Sequence, residues 1–285
     1  MQTFLLPPSP QLRPFVEVYL DMQSGESAVG EAEQSIQLYP APVISIAFAY
    51  GSGKAKVSFE GTDSIASPRA SLGGNFLRPK KYSWESGYNV FSICFKPWGV
   101  RCFTRFPLSE ATNQNLDLHY VFGNRVANME ERLSECSSPY ERRHIVEAFL
   151  CSELRECRKD QLIVGAVEGI VGTRGGLQVQ KMAEQYRLSR KQFARRFQET
   201  VGIPPKLFSR IVRFQHTLQL LSDPVRNIEV ACESGYFDQA HFTKEFRELA
   251  GVSPGKFLST IQRSKLGKDF DEIARMSPFY NTIYQ

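Results

Sequence analysis

The hydrophobic pattern splits the chain into a region of period two and a region of period three to four. Val43-Ile-Ser-Ile-Ala-Phe-Ala-Tyr50 is β-rich and alternates in part, and Lys54-Ala-Lys-Val-Ser-Phe59 alternates polar with apolar. The turn signal Gly51-Ser-Gly53 lies between them, so the pair predicts two strands joined by a short turn. Val90-Phe-Ser-Ile-Cys-Phe95 predicts another strand, stopped by Pro97 and Gly99. Short strands with frequent Gly and Pro predict a β-barrel or sandwich over residues 1–115. Its aromatic side chains are expected in the core. Phe48, Tyr50, Tyr82 and Trp84 are also the candidates for lining an apolar ligand pocket.

From about residue 116 the period becomes helical. Leu118, Val121, Phe122, Val126, Met129 and Leu133 recur at three- and four-residue steps. After the turn Ser137-Ser-Pro139, so do Ile145, Ala148, Phe149 and Leu154. This predicts an antiparallel helix pair over 116–158. Two uses are open for its apolar faces: packing onto the β region, or forming a dimer interface. Gly172-Thr-Arg-Gly-Gly176 has the look of a phosphate loop, but no Gly-Lys-Ser/Thr follows, so it predicts a connector between helices.

The last third contains an internal repeat. At an offset of 49, Phe193 matches Phe242, Phe197 matches Phe246, Gly202 matches Gly251, Pro205 matches Pro254 and Phe208 matches Phe257. Each copy predicts a short helix with a small residue, Ala183 or Ala231, then a tight turn and a longer helix, the shape of a helix-turn-helix. Ser189 and Asp238 are the expected caps of the longer helices. At 100° per residue, Phe193, Phe197 and Thr200 fall on one side of the first long helix, with Lys191, Arg195 and Gln198 opposite. In the second, Phe242, Phe246 and Leu249 face the core, Ala240, Lys244 and Arg247 lie opposite, and Gln239 and Thr243 flank them. Arg and Lys can bond guanine edges, Gln can bond adenine, and all three can bond phosphate. Between the copies, Pro204 to Leu221 predicts one helix with the stripe Ile211, Phe214, Leu218 and Leu221. Such a rod is about 27 Å long, enough to hold two reader helices about one DNA turn apart.

Charge sharpens this picture. The net charge is +5. Residues 1–164 carry 17 Lys and Arg against 18 Asp and Glu, residues 165–265 carry 16 against 9, and residues 266–285 carry 2 against 3. The positive excess therefore lies wholly in the repeat region, as phosphate-backbone binding requires. The chain is 42% hydrophobic and 23% charged, which is enough apolar material for a full core. It has no apolar run approaching the roughly 20 residues of a membrane span. Met1 to Pro14 does not have the pattern of a secretory signal. Six scattered cysteines without a Cys-x-x-Cys pair argue against a disulfide scaffold or zinc ribbon and suit a reducing cytoplasm.

Ile228-Glu-Val-Ala-Cys-Glu-Ser-Gly-Tyr-Phe-Asp-Gln-Ala-His-Phe-Thr-Lys-Glu-Phe-Arg-Glu-Leu-Ala-Gly-Val-Ser-Pro254 resembles the signature of the AraC/XylS family of bacterial transcription regulators. The family pattern is Ile-x-x-Ala-x-x-x-Gly-Phe, then Asp/Ser-x-x-x-Phe-x-x-x-Phe-Lys/Arg, then Gly-x-Ser/Thr-Pro. Tyr236 and Ala240 are mild departures. The resemblance implies an α+β protein of two domains. The first is a cupin-like β-barrel or sandwich with following helices. The second, over residues 159–263, is all-α, with about seven helices and two helix-turn-helix motifs, and a tail follows over 264–285. The implied DNA contacts are Arg190, Lys191, Gln192, Arg195 and Gln198 in the first motif, and Gln239, Ala240, Thr243, Lys244 and Arg247 in the second. Ala240 can offer only a thymine-methyl contact, and Thr243 and Arg247 are also phosphate candidates.

The implied function is a sequence-specific regulator, an activator, working on double-stranded DNA in the cytoplasm. The N-terminal domain would modulate it through a small-molecule effector or a partner. RNA polymerase and a second copy of the chain are further candidate partners. The alternative is a ligand- or partner-binding protein without sequence readout. The first histidine is His119, so residues 1–118 lack the His cluster of a metal cupin. With no Gly-x-Ser-x-Gly and no His-Glu-x-x-His either, neither catalysis nor a cofactor is expected.

Overall fold

Partial alternation along short segments becomes two antiparallel sheets. The computed structural model describes residues 2–24, 34–155, 160–222 and 235–261. The first sheet runs β1 (Gln2–Leu6), β2 (Val16–Gln23), β9 (Asn89–Phe95), β4 (Ser45–Ala49), β7 (Ala70–Gly73) and β10 (Asn115–Asp117). The second runs β3 (Gln34–Leu38), β8 (Lys80–Trp84), β5 (Ala55–Phe59) and β6 (Ile65–Ala66). The architecture is thus a β-sandwich followed by helices. β10 carries the sandwich slightly beyond residue 115.

The six-stranded sheet is buried on both faces. Ile46 and Phe48 of β4, with Phe91, Ile93 and Phe95 of β9, face outward into one apolar cluster. Ser45, Ala47, Val90, Ser92 and Cys94 face inward, toward the second sheet.

The outward cluster is covered by α1 (His119–Phe122), a 3-10 turn (Gly123–Val126), α2 (Met129–Ser134) and α3 (Pro139–Glu153). The apolar pattern over 118–133 is therefore right about burial and wrong about continuity. Leu118, Phe122, Val126, Met129 and Leu133 are all buried, yet Gly123 (φ 60°) and Asn128 (φ 62°) take left-handed conformations that a continuous helix forbids. Val146, Phe149 and Leu150 of α3 join the same cluster. Phe149 packs edge-on against Phe48 and Phe122, at centroid distances of 6.2 and 5.4 Å. These side chains pack onto the β region, the first of the two uses open for that face.

The C-terminal part is helical: α4 (Gln161–Gly172), α5 (Val179–Gln185), α6 (Arg190–Val201), α7 (Pro205–Ser222), α8 (Gln239–Ala250) and α9 (Pro254–Ile261). Gly172–Gly176 connects α4 to α5, as its sequence suggests. The short helix expected around Ala231 and Cys232, and the tail 264–285, lie outside the described residues. Cys94, Cys136 and Cys151 form no disulfide. Cys102 is disulfide-bonded, which the scattered spacing did not foretell.

Candidate nucleic-acid interface and interior cavity

The first motif is built from α5, a turn and α6. Ala183 is buried, and its carbonyl accepts from Leu188 N at 2.9 Å, so the small side chain lets the turn fold back closely. Ser189 caps α6 in a capping box: its Oγ accepts from Gln192 N at 3.2 Å, and Gln192 Oε1 accepts from Ser189 N at 3.0 Å. Phe193 and Phe197 are fully buried, and Val201 completes their stripe. Thr200 was expected on that stripe. Instead it is half-buried and its hydroxyl donates to Arg196 O at 3.0 Å.

The second motif repeats this construction around α8. Asp238 accepts from His241 N at 2.7 Å, the same capping step 49 residues later. Phe242, Phe246 and Leu249 are buried. Gly202 (φ 91°) and Gly251 (φ 74°) end the two helices in the left-handed conformation, which explains a glycine at both repeat positions. His241 is turned toward the protein, edge-on to Tyr236 at 5.6 Å and 3.6 Å from Glu245.

Helix α7 carries both motifs. Phe208 near its start meets Phe197 at 5.5 Å, and Phe214 farther along meets Phe246 at 5.4 Å. Arg210 adds an ionic clamp, donating through Nε to Glu245 at 2.9 Å and through Nη2 to Glu248. The expected stripe Ile211, Phe214, Leu218 and Leu221 is buried throughout.

Opposite the buried stripes, Arg190, Lys191, Gln192 and Arg195 are exposed on α6, with Gln198 half-buried. On α8, Gln239, Ala240, Lys244 and Arg247 are exposed, with Thr243 half-buried. Not all of these are equally free. Gln192 Oε1 is committed to the cap, and Arg190 donates to Gln180 Oε1. Arg195 makes only an exposed i,i+4 contact to Glu199 at 3.8 Å, which costs little to exchange for a phosphate or a base.

Residues 182–260 match a family model described as a helix-turn-helix domain. The matched segment is a helix-turn-helix domain. Residues 5–117 match a domain of unknown function (DUF6597). The HTH-type transcriptional regulator MtrA of Neisseria gonorrhoeae is 36% identical over 80 residues, 28% of this chain and 27% of the relative. The Msm operon regulatory protein of Streptococcus mutans is 29% identical over 124 residues, 42% of this chain and 45% of that one. The matched stretches thus span from about a quarter to under half the length of these curated relatives. Among solved structures, ToxT from Vibrio cholerae covers 85% of this chain and 97% of its own, at 13% identity and a TM-score of 0.44. The C-terminal domain of AraT from Geobacillus stearothermophilus covers 39% of this chain and 93% of its own, at 23% identity and a TM-score of 0.35.

A cavity of about 170 Å³ lies between the two sheets of the N-terminal region. Tyr82 and Trp84 line it. Phe48 and Tyr50 do not, and their proposed pocket role is corrected. They occupy the opposite face of the sheet from Ser45 and Ala47, as a period of two requires. Tyr50 instead donates to Asp21 Oδ1 at 2.6 Å, beneath Arg142, whose Nε donates to Asp21 Oδ2 at 2.9 Å. Burial and the Asp21 carboxylate both push the Tyr50 hydroxyl's pKa upward.

The cavity wall carries one feature the sequence did not signal. Lys80 is 5% exposed, and burial pushes its ammonium down to about 8. Its Nζ sits 4.4 Å from the Phe76 ring centroid and 5.1 Å from that of Tyr82. Tyr88, also in the lining, is pushed up to about 12 by burial.

The segment between β3 and β4 belongs to the cavity and to the helical domain at once. Leu38, Ala41 and Val43 line the cavity. Tyr39, between them, is 3% exposed and packs edge-on against Phe257 of α9 at 5.1 Å. Pro40 O accepts from Gln215 Nε2 of α7. A second bridge joins the sandwich to α6, where the buried Asn75 Nδ2 donates to Val201 O at 2.8 Å. No helix among the described residues is long and apolar enough to cross a membrane. Among the described residues, no group of three or more His, Cys, Asp or Glu could hold a metal ion.

Proposed function

We propose that this protein is a sequence-specific transcription regulator acting on double-stranded DNA in the bacterial cytoplasm. Its two reader helices would contact the duplex through Lys191, Arg195 and Gln198 on one and Gln239, Thr243, Lys244 and Arg247 on the other. The observation that carries this reading is the repeated construction. Two capped helices each bury a Phe pair and turn a cationic, amide-bearing face to solvent, and both are braced on the one helix α7. Ala240 contributes at most a methyl contact, and Gln192 is better used as a cap than as a reader.

The test is a mobility-shift assay on DNA from upstream of the gene, against random DNA, at about 150 mM salt. Arg195→Ala and Lys244→Ala are each expected to weaken binding by about tenfold or more and to make it less salt-dependent. Equal affinity for both DNAs would instead favour a ligand- or partner-binding protein without sequence readout.

We further infer that the cavity is an effector site and that its occupancy sets DNA affinity. The support is the 38–43 segment, whose side chains alternate between the cavity wall and the helical domain. Activation, through contact with RNA polymerase, is the sign we assign. A promoter-reporter fusion silenced by deletion of the gene is the expected result, and a rise on deletion would reverse the assignment.

A further inference from the structure

We propose that the cavity between the two sheets binds a singly charged, largely apolar carboxylate of about six to nine carbons in all, with Lys80 as its counter-ion. This rests on the reading of the cavity as a ligand site, and it adds the chemistry that would fill it.

The argument begins with an ammonium in the wrong place. Lys80 is 5% exposed and lines a cavity whose other walls include Leu20, Ile36, Val43, Val90 and Trp84. Among the described residues, no Asp or Glu lines that cavity. A buried charge normally has a partner, because the lost hydration is otherwise uncompensated. The faces of Phe76 and Tyr82, 4.4 and 5.1 Å away, offset only part of that loss. Tyr82 Oη donates to Asn115 Oδ1 at 2.9 Å and Asn115 Nδ2 donates to Ser67 Oγ at 3.0 Å, and the other polar side chains in the lining, among them Ser45, Ser71 and Ser92, are neutral hydroxyls that carry no counter-charge. The ammonium is left as a strong donor without a counter-charge, facing a mostly apolar space.

Charge and size then select the ligand. One ammonium neutralises one negative charge. A neutral ligand would leave Lys80 unpaired, and a dianion would bring a second buried charge with nothing to meet it. The volume of about 170 Å³ is slightly above the roughly 150 Å³ of an apolar cavity that holds a benzene ring. An acid of about six to nine carbons fits this space, and a long acyl chain does not.

The test uses the full chain and calorimetric titration at pH 7. The probes are hexanoate and phenylacetate, their amides hexanamide and phenylacetamide, and hexadecanoate. Each acid is expected to bind at least about thirtyfold tighter than its amide, as a desolvated charge pair implies, and hexadecanoate no tighter than hexanoate. Lys80→Met, close in volume and uncharged, should abolish the preference for the acids while the amides bind within a few-fold of wild type. Equal binding of acid and amide, no binding of either, tighter binding of hexadecanoate, or an acid preference retained in Lys80→Met would each overturn the proposal. A shift assay separates this assignment from the effector reading. Lys80-dependent hexanoate binding that leaves DNA affinity unchanged sinks the effector role and keeps the ligand class. A hexanoate effect on DNA affinity that is equal in wild type and Lys80→Met sinks the ligand class and keeps the effector role.

Discussion

At the scale of single residues, the two most consequential side chains in the sandwich are buried charges with opposite solutions. Asp21 is fully buried and satisfied, taking one hydrogen bond from Tyr50 and one from Arg142, which also lies 4.5 Å over the Tyr50 ring. Asp21→Asn should cost about 3 kcal/mol, because it leaves the Arg142 guanidinium buried without its counter-charge. Urea unfolding would measure this, and a cost below about 1 kcal/mol would show that the cluster does not hold α3 to the sheet. Lys80 is the counterpart with no carboxylate in the cavity lining among the described residues. Its folded value of about 8 lies below the ordinary 10.5, so at neutral pH the folded chain carries a charge that the unfolded chain carries more cheaply. Between pH 8 and 10.5 the unfolded state binds more protons than the folded state, so stability should rise with pH through that window. Lys80→Met should be more stable than wild type at pH 7 by up to about 3 kcal/mol, and the gap should close by pH 10. Urea unfolding at both pH values checks this, and a less stable variant at pH 7 would contradict it. Neither residue was legible in the sequence. Asp21 meets Arg142 across 121 positions, and Lys80 has nothing beside it in the chain to mark it as buried.

At the scale of elements, the repeat was the most readable feature. A helix-turn-helix is held by contacts a few residues apart: a cap, a small residue at the turn, a Phe pair and a glycine stop. The cap, the Phe pair and the glycine stop recur at an offset of 49, and the small residue, Ala183 and Ala231, at 48. Ser189→Ala and Asp238→Ala should each cost about 1 kcal/mol, with the loss visible as earlier thermal unfolding of the helical signal. A variant unfolding at the wild-type temperature would mean that the cap is redundant. Where elements are shaped by what they pack against, the reading faltered. The pattern from Leu118 to Leu133 correctly marked six core-facing positions, but covering a twisted sheet needs a path with left-handed turns at Gly123 and Asn128. Hydrophobic spacing reports which residues are inside and is silent on how the backbone bends between them. The same limit explains Thr200, displaced from the α6 stripe by the better-packing Val201.

At the scale of the whole molecule, the contacts by which the sandwich holds the helical domain include Asn75 on Val201 at the end of α6, and Tyr39 with Pro40 on α9 and α7. If the second of these positions the second motif, Tyr39→Ala should raise amide hydrogen exchange across Gln239–Ala250 by about tenfold or more while Arg190–Val201 keeps its protection. Equal change in both helices would mean that the domain is held as one block. The sequence by itself determined the helix-turn-helix repeat, its caps and stops, its basic balance and the β character of the first hundred residues, because each depends on neighbours in the chain or on composition. Only tertiary structure decided which face of each strand looks into the cavity, that Phe48 and Tyr50 look away from it, that Lys80 lines it, and that Tyr39 ties its wall to the second motif. Those facts depend on which segments meet, and a one-dimensional pattern of period two looks the same whichever face is turned inward.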